Sequence, residues 1–208
     1  RIIPLVIEEE KMQKACEVAG KEPIFQILPY QKKKAGIVTT GSEVYYHRIE
    51  DKFTPVVIDK LKECGVTEVK QIQCNDDHEM ITEAIQTLIE DGSDLIVCTG
   101  GMSVDPDDRT PLAIKNACTE VVTYGAPVLP GAMFMLAYCE KEGRQIPVMG
   151  LPGCVMYAKR TIFDLVLPRI MCDEKMHEKD FQLLGQGGLC LSCPVCTFPN
   201  CGFGKGGY

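Results

Sequence analysis

Along this chain two kinds of apolar spacing take turns. Short continuous runs are followed by stretches in which apolar residues recur every three or four positions. The runs 35–41 (AGIVTTG), 67–74 (TEVKQIQC), 94–101 (DLIVCTGG), 120–125 (EVVTYG) and 146–153 (IPVMGLPG) predict strands buried on both faces. Between and after them, helical spacing predicts helices over 51–65, 76–92, 111–118 and 155–171. In the first, Phe53, Val56, Val57 and Leu61 share a face; in the second, Met80, Ile81, Ala84, Ile85 and Leu88 do. Ahead of this regular part, 2–7 and 24–30 read as strands around a helix over 8–20 that Gly20 closes. Strands alternating with helices imply a mostly parallel sheet covered on both faces, an α/β fold.

In such sheets ligands sit beyond the carboxyl ends of the strands. Three strands here end in loops of small residues: TTGSE (39–43), TGGMS (99–103) and GLPG (150–153). Glycines let a backbone approach a ligand closely, and amides at a helix start favour phosphate. Thr39, Thr40, Ser42 and Ser103 add hydroxyl donors. Carboxylates beside an anion site call for a divalent cation, and Asp76, Asp77, Asp105, Asp107 and Asp108 are the candidates. Asp76 or Asp77 could equally cap the helix that follows, and Asp105 and Asp107 flank a turn proline. Asp108 opens a helix beside the double glycine and is the stronger candidate. No Walker A motif and no GxGxxG after the first strand occur, which disfavours a P-loop ATPase and a dinucleotide dehydrogenase.

Composition adds exclusions. The 208 residues are 45% hydrophobic with a formal net charge of -7, so a basic face for nucleic acid is not expected. No apolar run nears the ~20 residues that span a bilayer. The start does not read as a secretion signal, which suggests a reducing cytoplasm. The twelve cysteines divide into eight scattered ones and four crowded in the tail, Cys190-x2-Cys193-x2-Cys196-x4-Cys201. Scattered cysteines in apolar stretches act as small hydrophobes. The tail spacing suits one metal centre, Zn2+ or an iron–sulfur cluster; the last gap is one residue longer than in bacterial ferredoxin runs. Disulfides or free thiols are the alternatives. His47, His78 and His177 show no ligand spacing, and Met133, Met135, Met149, Met156 and Met171 read as core filler.

GIVTTGSEV, CNDDHEMI, DLIVCTGGMSVDPDDRTPLA, VLPGAMF and VMGLPG follow one another as they do in a known family. The chain resembles the molybdopterin-binding domain of molybdopterin adenylyltransferases and molybdenum-insertion enzymes over about residues 35–170. The resemblance implies a three-layer α/β/α sandwich and a pocket for molybdopterin or its adenylylated form, with Mg2+ assisting. It implies metal and phosphoryl positioning by Asp108 and Asp76. Binding would fall to Thr40, Gly41, Ser42 and Glu43 of the first loop and Gly100, Gly101 and Ser103 of the second. Gly131 of the Pro-Gly turn and Gly150, Pro152 and Gly153 of the Leu-Pro-Gly turn complete the set. It also implies a homo-oligomer, trimer or dimer. Two departures stand out: no Lys follows the Pro-Gly turn in PGAMF, and no Asn-Pro follows GLPG. Lys159 and Arg160 are the cations that could compensate. The expected function is a role in molybdenum (or tungsten) cofactor biosynthesis, with a non-catalytic carrier or a pyrophosphate hydrolase on a nucleotide-like substrate as alternatives. The domain reading is a lead-in over 1–34 that resembles the end of a preceding domain, the molybdopterin-binding domain over 35–171, and a Cys-rich extension over 172–208.

Overall fold

A computed structural model describes residues 4–23 and 25–206. Its elements are α1 (Glu9–Ala19), β1 (Lys34–Thr40), α2 (Ser42–Tyr45), α3 (Phe53–Glu63), β2 (Glu68–Cys74), α4 (His78–Glu90), β3 (Leu95–Thr99) and α5 (Thr110–Ala117). Then come β4 (Glu120–Tyr124), β5 (Met135–Lys141), β6 (Arg144–Leu151), α6 (Cys154–Tyr157), α7 (Ile162–Met171) and α8 (Glu178–Leu183), with a 3-10 turn over Leu184–Gly187. The strands form one six-stranded sheet in the order β2-β1-β3-β6-β5-β4. β2, β1, β3 and β6 run parallel, and β5 and β4 join antiparallel, so the sheet is mixed and mostly parallel.

Side-chain alternation along the central strands feeds two cores, one on each face. Ile37, Val97 and Met149 point to the face covered by α3 and α7, where Val57, Leu61, Phe163, Val166 and Ile170 pack. Val38, Ile96, Cys98 and Val148 point to the other, with Ile81, Ile85 and Leu88 of α4 and Ile114 of α5. The buried thiols behave as small hydrophobes: burial pushes Cys74 up to about 11 and Cys98 higher still. Cys118 and Cys139 depart from that reading and are joined as a disulfide between the end of α5 and β5.

Two strands expected to be buried on both faces, β2 and β4, are the edges of the sheet and are only partly covered, and three further elements differ from the sequence reading. β5 is a strand the periodicity did not single out. It pairs with β6 through a two-residue loop, Glu142 and Gly143, both at positive φ (52° and 75°), and this compact hairpin carries the antiparallel edge. The long helix predicted over 155–171 is two helices. Thr161 restarts it with a capping box: its hydroxyl accepts from Phe163 N, and Asp164 accepts from Thr161 N. The lead-in has no strand among its described residues; Ile2, Ile3 and Ile24 of the predicted strands lie outside them. Helix α1 forms but buries no residue, whereas 28–33 lies along the end of α7, with Gln31 N donating to Met171 O at 2.8 Å. The C-terminal extension packs on the domain, since Met176, Phe181 and Phe203 enter the α3/α7 core.

Candidate functional site

Strand register brings the predicted loops level. Thr40 pairs with Cys74, Thr39 with Thr99, and Thr99 with Leu151. The carboxyl ends of four parallel strands therefore form one rim. The chain leaves β1 toward β2 on one side, while β3 lies on the other, so the gap between β1 and β3 is the switch point where open α/β sheets bind ligands.

A cavity of about 520 Å³ opens there, lined by Thr39, Thr40, Thr99, Gly100, Asp51 and Lys52 among others. Gly100 has φ +88°, and a Cβ on it would stand 2.3 Å from Thr40 O, so no side chain fits between the glycine loop and β1. Thr110 at the start of α5 ties that loop down: its hydroxyl donates to Gly100 O at 2.8 Å and lies 3.2 Å from Thr40 Oγ1. Thr99 is fully buried, and its hydroxyl has no hydrogen-bond partner among the described residues. Buried hydroxyls are normally paired, so Thr99, a residue of the cavity wall, carries a polar group that the described residues leave unused.

One side of the cavity is a polar network that sequence reasoning missed. Gln71 Nε2 donates to Thr39 Oγ1, Thr54 Oγ1 and Asp51 Oδ2 at 2.8–3.0 Å, and the two threonine hydroxyls lie 2.8 Å apart. Asp51 also accepts from Phe53 N and Thr54 N, capping α3. Burial opposes ionisation of Asp51, but these bonds from Thr54, Gln71 and Phe53 outweigh it and hold its carboxyl below the usual range. An Asp three residues before Thr-Pro at a helix start was the available signal for the cap, but nothing in the sequence tied it to Gln71. Lys52 was missed too, being one residue in a polar stretch.

The second predicted loop separates this cavity from another of about 520 Å³, lined by Met102, Ser103, Gly131, Pro152, Gly153 and the tail residues Leu189 and Cys190, among others. Gly131 follows a cis Leu129–Pro130 bond at φ +129°, where a Cβ would meet Ile162 at 2.3 Å. Gly150 lies in β6 beneath Met102. The structure thus gathers Thr40 and Gly100 at one cavity and Ser103, Gly131, Pro152 and Gly153 at the other.

The remaining candidates brace the rim. Gly41, Ser42 and Glu43 form the turn that opens α2. Asp76 accepts from both the amide and the hydroxyl of Ser42 at 2.8 Å, fastening the β2 end to the first loop. The cap of α4 belongs to Asp77, which takes Glu79 N and Met80 N. Asp108 is half-buried and sits two residues ahead of α5, not in it; it accepts from Ser103 N and so closes the loop after Gly101. Asp105 shapes the turn, accepting from Asp107 N. Arg160 is committed elsewhere, to Glu63 at 2.9 Å and Asp164 at 2.7 Å, Lys159 is exposed, and neither lines the two cavities. Lys52, on the first cavity, stands where a cation is wanted. Among the described residues no three His, Cys, Asp or Glu side chains are placed to hold a metal ion, the tail cysteines included. No helix there is long and apolar enough to cross a membrane.

Comparison with known proteins agrees with this fold. The family model described as "Probable molybdopterin binding domain" matches residues 36–171. A CinA-like protein of Mycobacterium sp. (strain MCS) is 36% identical over 85 residues, 41% of this chain but only 20% of that protein. The chain therefore corresponds to about a fifth of the length of such curated relatives. Among solved structures, the tungsten cofactor synthesizing protein MoaB from Pyrococcus furiosus superposes with a TM-score of 0.51 at 19% identity, over 69% of this chain and 89% of that one. A molybdopterin biosynthesis protein from Mycobacterium abscessus gives 0.54 at 17% identity, over 68% and 92%. These likenesses show the fold, and the matched model shows the family: the chain belongs, over residues 36–171, to the molybdopterin-binding domain family.

Proposed function

We propose that this protein binds molybdopterin or its adenylylated form at the carboxyl ends of β1 and β3, and acts in assembling the molybdenum (or tungsten) cofactor. One observation carries the reading: the β1/β3 cavity is lined by Thr99, whose fully buried hydroxyl has no partner among the described residues, next to Gly100, whose bare backbone packs directly on β1. A phosphate seated there would take Thr99, Thr40 and the loop amides as donors and Lys52 as a counter-charge. Asp108 and Asp76 would supply carboxylate oxygens to Mg2+, with phosphate oxygens and water completing its shell. If the chain transfers a nucleotidyl group, its own share is to orient the phosphates and offset charge that develops on them. The protein works in the cytoplasm as a homo-oligomer in this reading, which sedimentation velocity tests.

The deciding experiment is calorimetric titration with molybdopterin and with its adenylylated form, each with and without Mg2+. Mg2+-dependent binding of one form identifies the step; binding of neither overturns the reading. Two further readings use the same loops. The absent lysine after the Pro-Gly turn favours a carrier, and the two loop carboxylates Asp76 and Asp108 would also serve a hydrolase of nucleotide-like pyrophosphates. Asp108→Asn separates them: an enzyme loses turnover and keeps binding, whereas a carrier loses little.

A further inference from the structure

The tail is fastened without help from its thiols. After the 3-10 turn the chain pairs with Leu129, whose amide donates to Gly188 O at 2.6 Å and whose carbonyl accepts from Cys190 N at 2.8 Å. It returns through Phe203, buried in the α3/α7 core, and Gly204 N donates to Gly187 O at 2.7 Å. Residues 188–203 are thus a loop closed at its base. Cys190 and Cys201 both pack, partly buried, against the same core cluster. Phe198, between them, lies under the Arg160 guanidinium at 5.1 Å. The stretch 191–196 is different: it makes no hydrogen bond to the rest of the described chain, and Cys193 stands exposed in it.

Two thiols are therefore packed against the core, and two, the exposed Cys193 and the half-buried Cys196, sit on a stretch without hydrogen bonds to the other described residues. As they stand, the four are not gathered. We propose that residues 188–203 are a metal clip, in which one thiophilic ion such as Zn2+ draws Cys193 and Cys196 in toward Cys190 and Cys201. Four metal–sulfur bonds form, each thiol yields its proton to solvent, and nothing is oxidised or reduced. Four thiolates suit a tetrahedral ion. Because the loop base is already closed, little closure entropy remains to be lost. The clip is also a wall of the second cavity, through Leu189 and Cys190 beside Gly131 and Ser103. Its ion would fix that wall. An effect on ligand affinity at that wall rests on the function proposed above; the metal site does not.

The test uses the full chain, stripped of metal under reductant and titrated with Co2+ and then Zn2+. One equivalent of Co2+ with the absorption of a tetrahedral thiolate complex, displaced by one of Zn2+, is expected. Cys193→Ser with Cys196→Ser should abolish it and leave the melting curve of the metal-free protein unchanged, because both lie outside the core. Amide exchange at Leu129 and Cys190 should slow when Zn2+ is added. Absence of the thiolate band, or its survival in the double variant, overturns the proposal. Pterin titration is run separately, with and without Zn2+. Metal binding without pterin binding leaves the clip standing and removes the ligand reading; the converse does the opposite.

Discussion

Thr99 and Gly100 are consecutive, and the site asks opposite things of them. Thr99 buries a hydroxyl that no described residue satisfies. Such a group costs stability, so Thr99→Val should leave the protein unchanged or about 1 kcal/mol more stable in a urea melt. The same variant should bind the phosphate-bearing ligand about tenfold more weakly, the worth of one hydrogen bond to a charged group. A variant that is less stable and binds equally well would mean that the hydroxyl serves the fold. Gly100 is constrained by space: at φ +88° and 2.3 Å from Thr40 O, a Cβ must displace β1 or the loop. Gly100→Ala should cost about 3 kcal/mol by the same melt and abolish binding. The double glycine was visible in the sequence. Which glycine touches β1, and that Thr99 lacks a partner among the described residues, depends on register between strands far apart in the chain.

At the scale of elements, a few polar side chains fix how helices meet the sheet. Lys60 of α3 reaches Asp164 of α7 at 2.7 Å, and both side chains are nearly buried. Lys60→Met leaves Asp164 with Arg160 and the amide and hydroxyl of Thr161, and should cost about 1.5 kcal/mol in chemical denaturation, the worth of a hydrogen bond to a charged group. Helix starts also set the response to acid. Asp51 at α3, Asp77 at α4 and Asp180 at α8 all have carboxyls held below the ordinary value. For Asp77 the chief cause is the bond from Met80 N; for Asp51 and Asp180 burial opposes the shift and hydrogen bonds overcome it. Their folded values lie below their unfolded ones. The stability they contribute is present above the ordinary carboxylate value and lost as pH falls through the folded values. Melting temperature should therefore hold near neutrality and drop below about pH 4. Asp51→Asn should flatten the acid limb; an unchanged limb would remove Asp51 from the account. The helices α3, α4 and α5 were legible from spacing. The split between α6 and α7 was legible only as Thr-x-x-Asp inside an apolar run, a cap signal that periodicity overrode.

At the scale of the molecule, one cross-link and one extension tie the antiparallel edge and the tail to the parallel core. The Cys118–Cys139 disulfide closes a loop of 21 residues. A loop of that size is worth about 3 kcal/mol, so reductant should lower the denaturation midpoint accordingly, and the Cys118→Ser, Cys139→Ser double variant should be insensitive to it. Sequence alone determined a good deal here. Buried strands must be apolar on both faces and covering helices on one, so the alternation of periods specified an α/β fold with a mostly parallel sheet. Parallel strands end at the same rim, so the small-residue loops at their carboxyl ends pointed to one crevice. Tertiary structure alone decided the rest. Residues 40, 99 and 151 meet only through cross-strand register, and Lys52 and Gln71 reach the site only through folding. The rim then divides into two cavities on either side of Gly100 and Met102, and the tail becomes a wall of one. Local pattern records what a residue must bury; it does not record which distant residue it will be buried against.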